Sequence, residues 1–171
     1  MSTLRPPRAP ALTGRASGFT MLEFLVTLAI LALLAGMAVP GMSDFIRNGR
    51  VRGASFELRA IFVRARSEAI NRNTEVELAP AGGDWRNGWT LRTAAGTTIE
   101  NRGDLGDVVV APAIAPTVRY GVDGRLRTGQ QTIVISTADG SRVQPRCVRL
   151  SSSGRTRVLL DTDHDPTNGC S

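Results

Sequence analysis

The chain has 171 residues, enough for one domain and an additional element, and its 42% hydrophobic content with only 5% aromatic residues allows a modest core. All of its 21 basic residues are arginines, and against 15 acidic residues they give a net charge of +6. A single histidine leaves little for a histidine-based zinc site or catalytic triad, and no phosphate-binding glycine loop is present, so we expect neither an enzyme nor a small-molecule substrate.

The N-terminal 18 residues are polar and basic, with no acid, and an apolar run follows from Phe19 to about Met42. This run is long enough for an α-helix to cross about 30 Å of hydrocarbon. A secretory signal would have its cleavage site after the apolar run, whereas the natural processing point here precedes it, at Gly18–Phe19. Basic residues before the run predict that this end stays cytoplasmic and that the C-terminal part lies on the opposite side.

Glu23 is the one acid in the apolar run, where an unpaired carboxylate would be costly. Cleavage after Gly18 would make Phe19 a new amino terminus, one helical turn before Glu23. An acid in the first turn complements the helix dipole, and in an assembly its carboxylate can pair with the terminal amine of an adjacent copy. The pattern therefore predicts a role for Glu23 in assembly.

The segment GFTMLEFLVTLAILALLAGMAVP, residues 18–40, resembles the type III signal of type IV pilins and type II secretion pseudopilins. The resemblance includes Gly18, Phe19, Glu23 and the helix-breaking Pro40. It implies cleavage after Gly18 by a prepilin peptidase and N-methylation of Phe19. It also implies a single-pass protein of the inner membrane with a periplasmic C-terminal part, later assembled with other subunits into a pilus or pseudopilus. An ordinary single-pass anchor is the alternative.

Two apolar stripes continue the helical pattern after Pro40, where the proline predicts a kink or local melting. The first stripe is predicted to pack on the protein's own sheet. It comprises Val51, Ala54, Leu58, Ile61, Phe62, Ala65 and Ala69. The second stripe, with seven-residue spacing, packs either on the same sheet or on neighbouring subunits. It comprises Phe56, Val63 and Ile70. The helix is predicted to run from about Phe19 to Asn73.

Short β-strands are predicted after Asn73, separated by glycine-containing turns. They are residues 74–78, 89–93, 107–111, 117–120, 131–136, 146–150 and 156–160. The fold class is therefore α+β, a long N-terminal helix packed on antiparallel sheet. The predicted parts are a leader (1–18), a membrane or assembly half of the helix (19–42), an amphipathic half (43–73) and a soluble β-rich part (74–171).

The stretch RARSEAINRN (64–73), followed by a strand and by WRNGW (85–89), is similar to the GspH/FimT family of minor pilins and pseudopilins. With the N-terminus, this resemblance covers nearly the whole chain and implies a type IV pilin-like fold. Two functions follow: a FimT/FimU-like minor pilin in or at the tip of a type IV pilus, or a GspH-like minor pseudopilin of type II secretion without DNA affinity. A third class is an unprocessed, membrane-anchored enzyme.

Cys147 and Cys170 are the only two cysteines. In a protein whose soluble part is exported, such a pair predicts one disulfide. Two reduced thiols would be expected if the protein were cytosolic.

Eight arginines between Arg119 and Arg157 face only two acids in that interval, so this part of the chain carries the whole net charge. Such clustering is typical of nucleic-acid binding, although a compositional bias toward arginine explains the total count equally well. Within the cluster, Gly154-Arg155-Thr156-Arg157 places two guanidinium groups on one side of an extended segment.

This Gly-Arg-x-Arg sequence resembles the DNA-binding element of FimT, the member of the family used in natural transformation. The resemblance implies that Arg155 and Arg157 bind the DNA backbone, and Arg142, Arg146 and Arg149 are neighbours by sequence only. Such binding is non-specific and weakens with salt. The alternative is a solvated hairpin whose arginines pair with acids.

Asp161, Asp163 and Asp165 alternate in the way that begins a calcium-binding loop. Pro166 stands where that loop needs glycine, and the chain ends before the glutamate at position 12. Calcium is the one cofactor that the sequence suggests, and an acidic loop held by Cys170 is the alternative.

Overall fold

A computed structural model describes residues 18–112, 115–138, 143–162 and 170, and for residues 37–41 it describes the helical backbone alone. The chain divides into two compact units between Val39 and Pro40. One α-helix, α1, extends from Met21 to Asn71. The helical backbone continues through Pro40, so the expected local melting does not occur.

The first unit contains the start of α1. Thr20 caps this start, because its side-chain Oγ1 accepts a hydrogen bond of 3.1 Å from the backbone N–H of Glu23. The Gly18–Phe19 junction therefore lies immediately before the helix, and Glu23 lies in its first turn. The large apolar side chains described in this unit are exposed, and Phe19 is 81% exposed.

Within the part of the chain that the structure describes, no helix is both long enough and apolar enough to cross a membrane. The predicted span of residues 19–42 includes residues 37–41, whose side chains lie outside the described part.

The second unit contains the amphipathic half of α1, and the predicted core face is confirmed. All seven residues of the first apolar stripe, from Val51 to Ala69, are buried. The second stripe is only half-buried, since Phe56, Val63 and Ile70 are 42%, 47% and 47% exposed. The helix ends at Asn71, and Asn73 terminates it: its φ of +48° turns the chain so that the backbone N–H of Thr74 donates to the Ala69 carbonyl at 3.2 Å.

In the described part of the chain, eight strands and two single turns of 3-10 helix follow α1. The strands are β1 (Val76–Pro80), β2 (Trp89–Thr93), β3 (Thr98–Arg102), β4 (Val109–Ala111), β5 (Val118–Tyr120), β6 (Gln131–Ser136), β7 (Arg146–Leu150) and β8 (Thr156–Leu160). The 3-10 turns are Ala81–Gly83 and Trp85–Asn87.

The strands form two four-stranded antiparallel sheets. The first sheet has the order β3-β2-β1-β5 and the second has the order β4-β6-β7-β8. The predicted α+β architecture, a helix packed on antiparallel sheets, is confirmed. Within the described residues, strand β8 has a neighbour on one side only, and its outer edge is open there.

The core lies between α1 and the sheets. Trp85 and Trp89 are almost completely buried, and the ring of Trp85 meets that of Phe62 edge to face, with centroids 5.2 Å apart. Every fully buried residue described for this core lies between Val51 and Leu150. A fragment that begins at Ser43 therefore keeps the complete described core, and we expect it to fold on its own.

Candidate nucleic-acid interface

The Gly-Arg-x-Arg sequence lies in the hairpin that joins β7 to β8. The backbone N–H of Ser151 donates to the Arg155 carbonyl at 3.0 Å, and the N–H of Gly154 donates to the Ser151 carbonyl at 2.8 Å. The side-chain Oγ of Ser151 also accepts from the Arg155 N–H at 3.2 Å. These bonds hold the turn in one conformation and thereby fix the backbone positions of Arg155 and Arg157.

Gly154 permits this turn for two reasons. Its φ of +77° is a conformation that other residues adopt at a cost. A Cβ at this position would also collide with the carbonyl oxygen of Gly124, which lies in another turn with a φ of +69°. The hairpin therefore rests directly on a neighbouring stretch of backbone.

The register of the hairpin places Arg149 directly opposite Arg157, and Arg149 lies next to Thr132 on its other side. Directly opposite residues in antiparallel strands are on the same face of the sheet, with Cα atoms about 5 Å apart. Arg149, Arg155 and Arg157 are all exposed. Two guanidinium groups are thus held side by side on the outer face of the second sheet, and a third lies at its turn.

The predicted disulfide between Cys147 and Cys170 is present in the structure. It brings the C-terminal end beside β7, where the Arg149 guanidinium donates to the Cys170 carbonyl oxygen at 3.0 Å. This acceptor is uncharged, so Arg149 keeps its net positive charge. This contact cannot be predicted from the sequence, because nothing in the sequence shows which arginine lies near the Cys170 carbonyl.

Arg155 and Arg157, like Arg149, have no carboxylate within ion-pair distance among the described residues. By contrast, Arg119 lies 3.3 Å from Glu77 and Arg127 lies 3.3 Å from Asp123. In the described part of the chain, the hairpin thus carries cationic groups without neutralising acids, as an anion-binding surface requires.

Arg146 is not brought together with the other candidate residues. It is three positions from Arg149 on one strand, so its side chain points to the opposite face, toward α1. Burial lowers the pKa of its guanidinium below the usual range, and the nearby positive charge of Arg52 adds to this effect. Arg142 lies outside the described residues.

Arg66, a half-buried helix residue behind the hairpin, was not predicted from the sequence. Its Cδ lies 3.4 Å from the position that a Cβ of Gly154 would occupy. Helical periodicity gives no signal for such a contact, because the contact depends on how the hairpin packs on α1.

The suggested calcium loop stays a prediction. Asp161 is completely buried and accepts, through its backbone oxygen, a 3.1 Å hydrogen bond from the Gln144 side chain. Asp163 and Asp165 lie outside the described residues. Among the residues that are described, no cluster of three or more potential metal ligands is found.

Comparison with known families identifies the protein's relatives. The profile of the family described as "Type II transport protein GspH" matches residues 54–154, more than half of the chain. The chain belongs to the GspH family. A second profile, the prokaryotic N-terminal methylation motif, matches residues 14–39, which include Gly18, Phe19 and Glu23. This GspH-family chain is thus a component of a pilin-like or pseudopilin-like system.

Individual relatives agree with this assignment. The type IV major pilin protein PilA of Myxococcus xanthus strain DK1622 is 29% identical over 98 residues, a match that spans 53% of this chain and 44% of that protein. This chain therefore covers less than half of that relative.

Two crystal forms of the type IV minor pilin FimU of Pseudomonas aeruginosa strain PAO1 have the same fold. Their TM-scores are 0.58 and 0.55, each at 20% identity. The matches cover 74% and 70% of this chain and 99% of the FimU chain in both cases.

Proposed function

We propose that the protein is a FimT/FimU-like minor pilin that is incorporated in or at the tip of a type IV pilus and binds DNA for natural transformation. The hairpin surface is the observation that supports DNA binding. Arg149, Arg155 and Arg157 are all exposed there, on the outer face of the second sheet. None of the three has a described carboxylate partner.

Binding to this surface is sequence-independent. A guanidinium group can donate two parallel hydrogen bonds to phosphate oxygens. The hydroxyl groups of Ser152 and Ser153, which are near in sequence, and of Thr132, which pairs with Arg149, are further donors. No aromatic side chain stands among these arginines, so base stacking is not part of the interaction. The affinity therefore comes from counterion release and falls steeply with salt.

The test measures binding of fluorescent double-stranded DNA to the fragment from Ser43 to Ser171 across a salt series. Three phosphate contacts give a slope of about −2.7 in a plot of log K against log salt, and Arg155→Gln/Arg157→Gln reduces it to about −0.9. The matched control is Arg86→Gln/Arg92→Gln, which removes the same charge from outside the hairpin.

An equal loss of affinity in both double variants would show that net charge alone attracts DNA. Absence of binding at low salt would remove DNA uptake from the proposal and leave a structural subunit. Deletion of the gene in the source bacterium, followed by transformation with marked DNA, extends the test to the cell.

The second candidate function is a minor pseudopilin of type II secretion, favoured by the GspH profile match over residues 54–154. Such a subunit would not bind DNA, and it would be absent from pili sheared from the cell surface. Detection of the chain in sheared pili by a specific antibody supports the pilin, and its absence there together with defective protein secretion in the deletion strain supports the pseudopilin.

Processing is common to both candidates. We propose that prepilin peptidase cleaves the chain after Gly18 and methylates the amine of Phe19, that residues 19–42 anchor it in the inner membrane, and that Glu23 then acts in assembly. Gly18→Ala should block cleavage, and mass spectrometry of the purified chain measures this. Glu23→Gln should be cleaved normally but should fail to enter filaments. Normal maturation of Gly18→Ala would contradict both candidates.

A further inference from the structure

A groove runs along the open edge of β8, between that strand and the exposed side of α1. One stretch of it, of about 440 Å³, lies between the helix residues 63–70 and the hairpin residues 154–157. The adjoining stretch, of about 330 Å³, is lined by Phe56 and Arg59 of the helix, by Arg146, and by strand residues 156–159. The groove thus follows most of the strand.

The backbone of β8 offers an unused row of hydrogen-bonding groups to this groove. The bonds from the Ser151 N–H to the Arg155 carbonyl and from the Asp161 N–H to the Pro145 carbonyl fix the alternation along the hairpin. In antiparallel pairs every second residue bonds to the partner strand. The N–H and C=O groups of Thr156, Val158 and Leu160 consequently point away from β7, and no other described backbone group bonds to them.

An apolar stripe runs along the helix wall of the groove. Phe56, Val63 and Ile70 are each between 42% and 47% exposed, although they lie on the same helix as a completely buried face. Because they are spaced by seven residues, they form a nearly straight stripe parallel to the groove. Covering such side chains with apolar groups contributes about 25 cal/mol for each Å² removed from water.

The two stretches of the groove carry positive charge, whereas the cavity beyond them at Leu160 is lined by both Asp44 and Arg146. Arg59, Arg66, Arg146 and Arg157 line the two stretches, and no described acidic residue does. The Nε atoms of Arg66 and Arg146 are buried without a hydrogen-bond acceptor among the described residues. Buried donors of this kind are costly unless a partner supplies acceptors.

We propose that this groove binds an extended polypeptide segment with alternating apolar and acidic side chains, which adds to the second sheet as a fifth strand beside β8. Strand spacing of about 4.8 Å places its backbone within reach of the open N–H and C=O groups. Alternate side chains point inward to the stripe of Phe56, Val63 and Ile70, and the remaining ones point outward beside Arg155 and Arg157.

The same features disfavour other occupants. Phosphate oxygens accept hydrogen bonds but donate none, so a nucleic acid would leave the open carbonyl groups of β8 and the apolar stripe unpartnered. A second copy of β8 would bring its own arginines to this edge, and like charges facing each other across strands are destabilising. A strand of alternating apolar and acidic side chains pairs with the backbone of β8, covers the stripe and places its carboxylates beside Arg155 and Arg157.

The test uses the 15N-labelled fragment from Ser43 to Ser171 and a synthetic seven-residue peptide of alternating Glu and Val. Amide hydrogen exchange is expected to slow at least tenfold at Thr156, Val158 and Leu160 when the peptide binds. The amides of Arg157 and Leu159 are already bonded to β7 and change little. A peptide of the same composition in two blocks, Glu then Val, should bind at least tenfold more weakly.

Val63→Asp should weaken binding of the alternating peptide at least tenfold, because it removes an apolar contact and adds a repelling charge. Val122→Asp is the matched control, since Val122 is similarly exposed, at 45%, and does not line the groove. Equal binding of the two peptides, or binding without protection at the three edge amides, would overturn the proposal. Protection of those amides by duplex DNA would assign the groove to nucleic acid instead.

Discussion

Removal of the Cys147–Cys170 disulfide is expected to destabilise the second unit substantially. The two cysteines are 23 residues apart in sequence, and the chain-entropy model gives a loss of about 3.4 kcal/mol for a loop of this size at 25 °C. The change to make is Cys147→Ala/Cys170→Ala, because alanine at the completely buried Cys147 leaves little empty space. The Arg149 guanidinium then also loses its fixed acceptor at residue 170.

Urea denaturation of the fragment from Ser43 to Ser171, followed by tryptophan fluorescence, measures this loss. With an m-value of about 2 kcal/mol per molar urea, the midpoint should fall by roughly 1.7 M. Both tryptophans, Trp85 and Trp89, are buried in the folded state and report its loss. Adding reductant to the unmodified fragment provides the control and should reproduce the same shift.

A midpoint that moves by less than about 0.5 M would refute the reasoning, because it would mean that the unfolded chain gains little freedom from opening the loop. A shift caused by reductant in the double alanine variant would show that the reductant acts elsewhere.

Three further predictions concern single residues. Gly154→Ala should destabilise the fragment by at least about 1 kcal/mol more than Gly129→Ala, as measured by urea denaturation. Both glycines have a positive φ, but of the two only Gly154 has a backbone carbonyl at the position that the new Cβ would occupy. Burial raises the pKa of Tyr120, the only tyrosine, to about 12. The absorbance of the folded fragment at 295 nm should therefore rise with a midpoint near pH 12. The stability that the neutral phenol contributes should be fully present below pH 10 and should be lost as pH rises through about 12. The hydrogen bond from Arg92 holds the pKa of Glu77 below its usual range. The unmodified fragment should therefore be more stable than Glu77→Gln by a constant amount above about pH 5, and this difference should disappear as pH falls through the lowered pKa. A difference that grows in acid would contradict this prediction.

The buried face of the helix could be predicted because apolar residues that recur every 3.6 residues lie on one side of a helix. The seven residues from Val51 to Ala69 repeat with that period, and all are buried. Strand β3 was not predicted, because its residues TIENR carry one apolar side chain and none of the five is fully buried. Its place in the sheet comes from pairing with β2, and the sequence of β3 alone does not indicate that pairing.

The candidate site was predictable only in part. That Arg155 and Arg157 share one side follows from their spacing along a strand. The same parity separates Arg146 from Arg149, so proximity in sequence was a poor guide to which residues act together. The pairing of Arg149 with Arg157 depends on hydrogen bonds within the turn, and the contact between Arg149 and the Cys170 carbonyl depends on the disulfide. Long-range geometry of this kind has no periodic signature.

The open edge of β8 also bears on solubility. An unpaired strand edge invites identical chains to add to one another without limit, which is a route to amyloid-like aggregation. In this protein two copies that meet edge to edge would bring arginines of residues 155 and 157 close together. Their repulsion keeps the edge free in dilute salt, and screening weakens it as ionic strength rises. The charges that favour an acidic partner at this edge thus also disfavour the pairing of one copy with another.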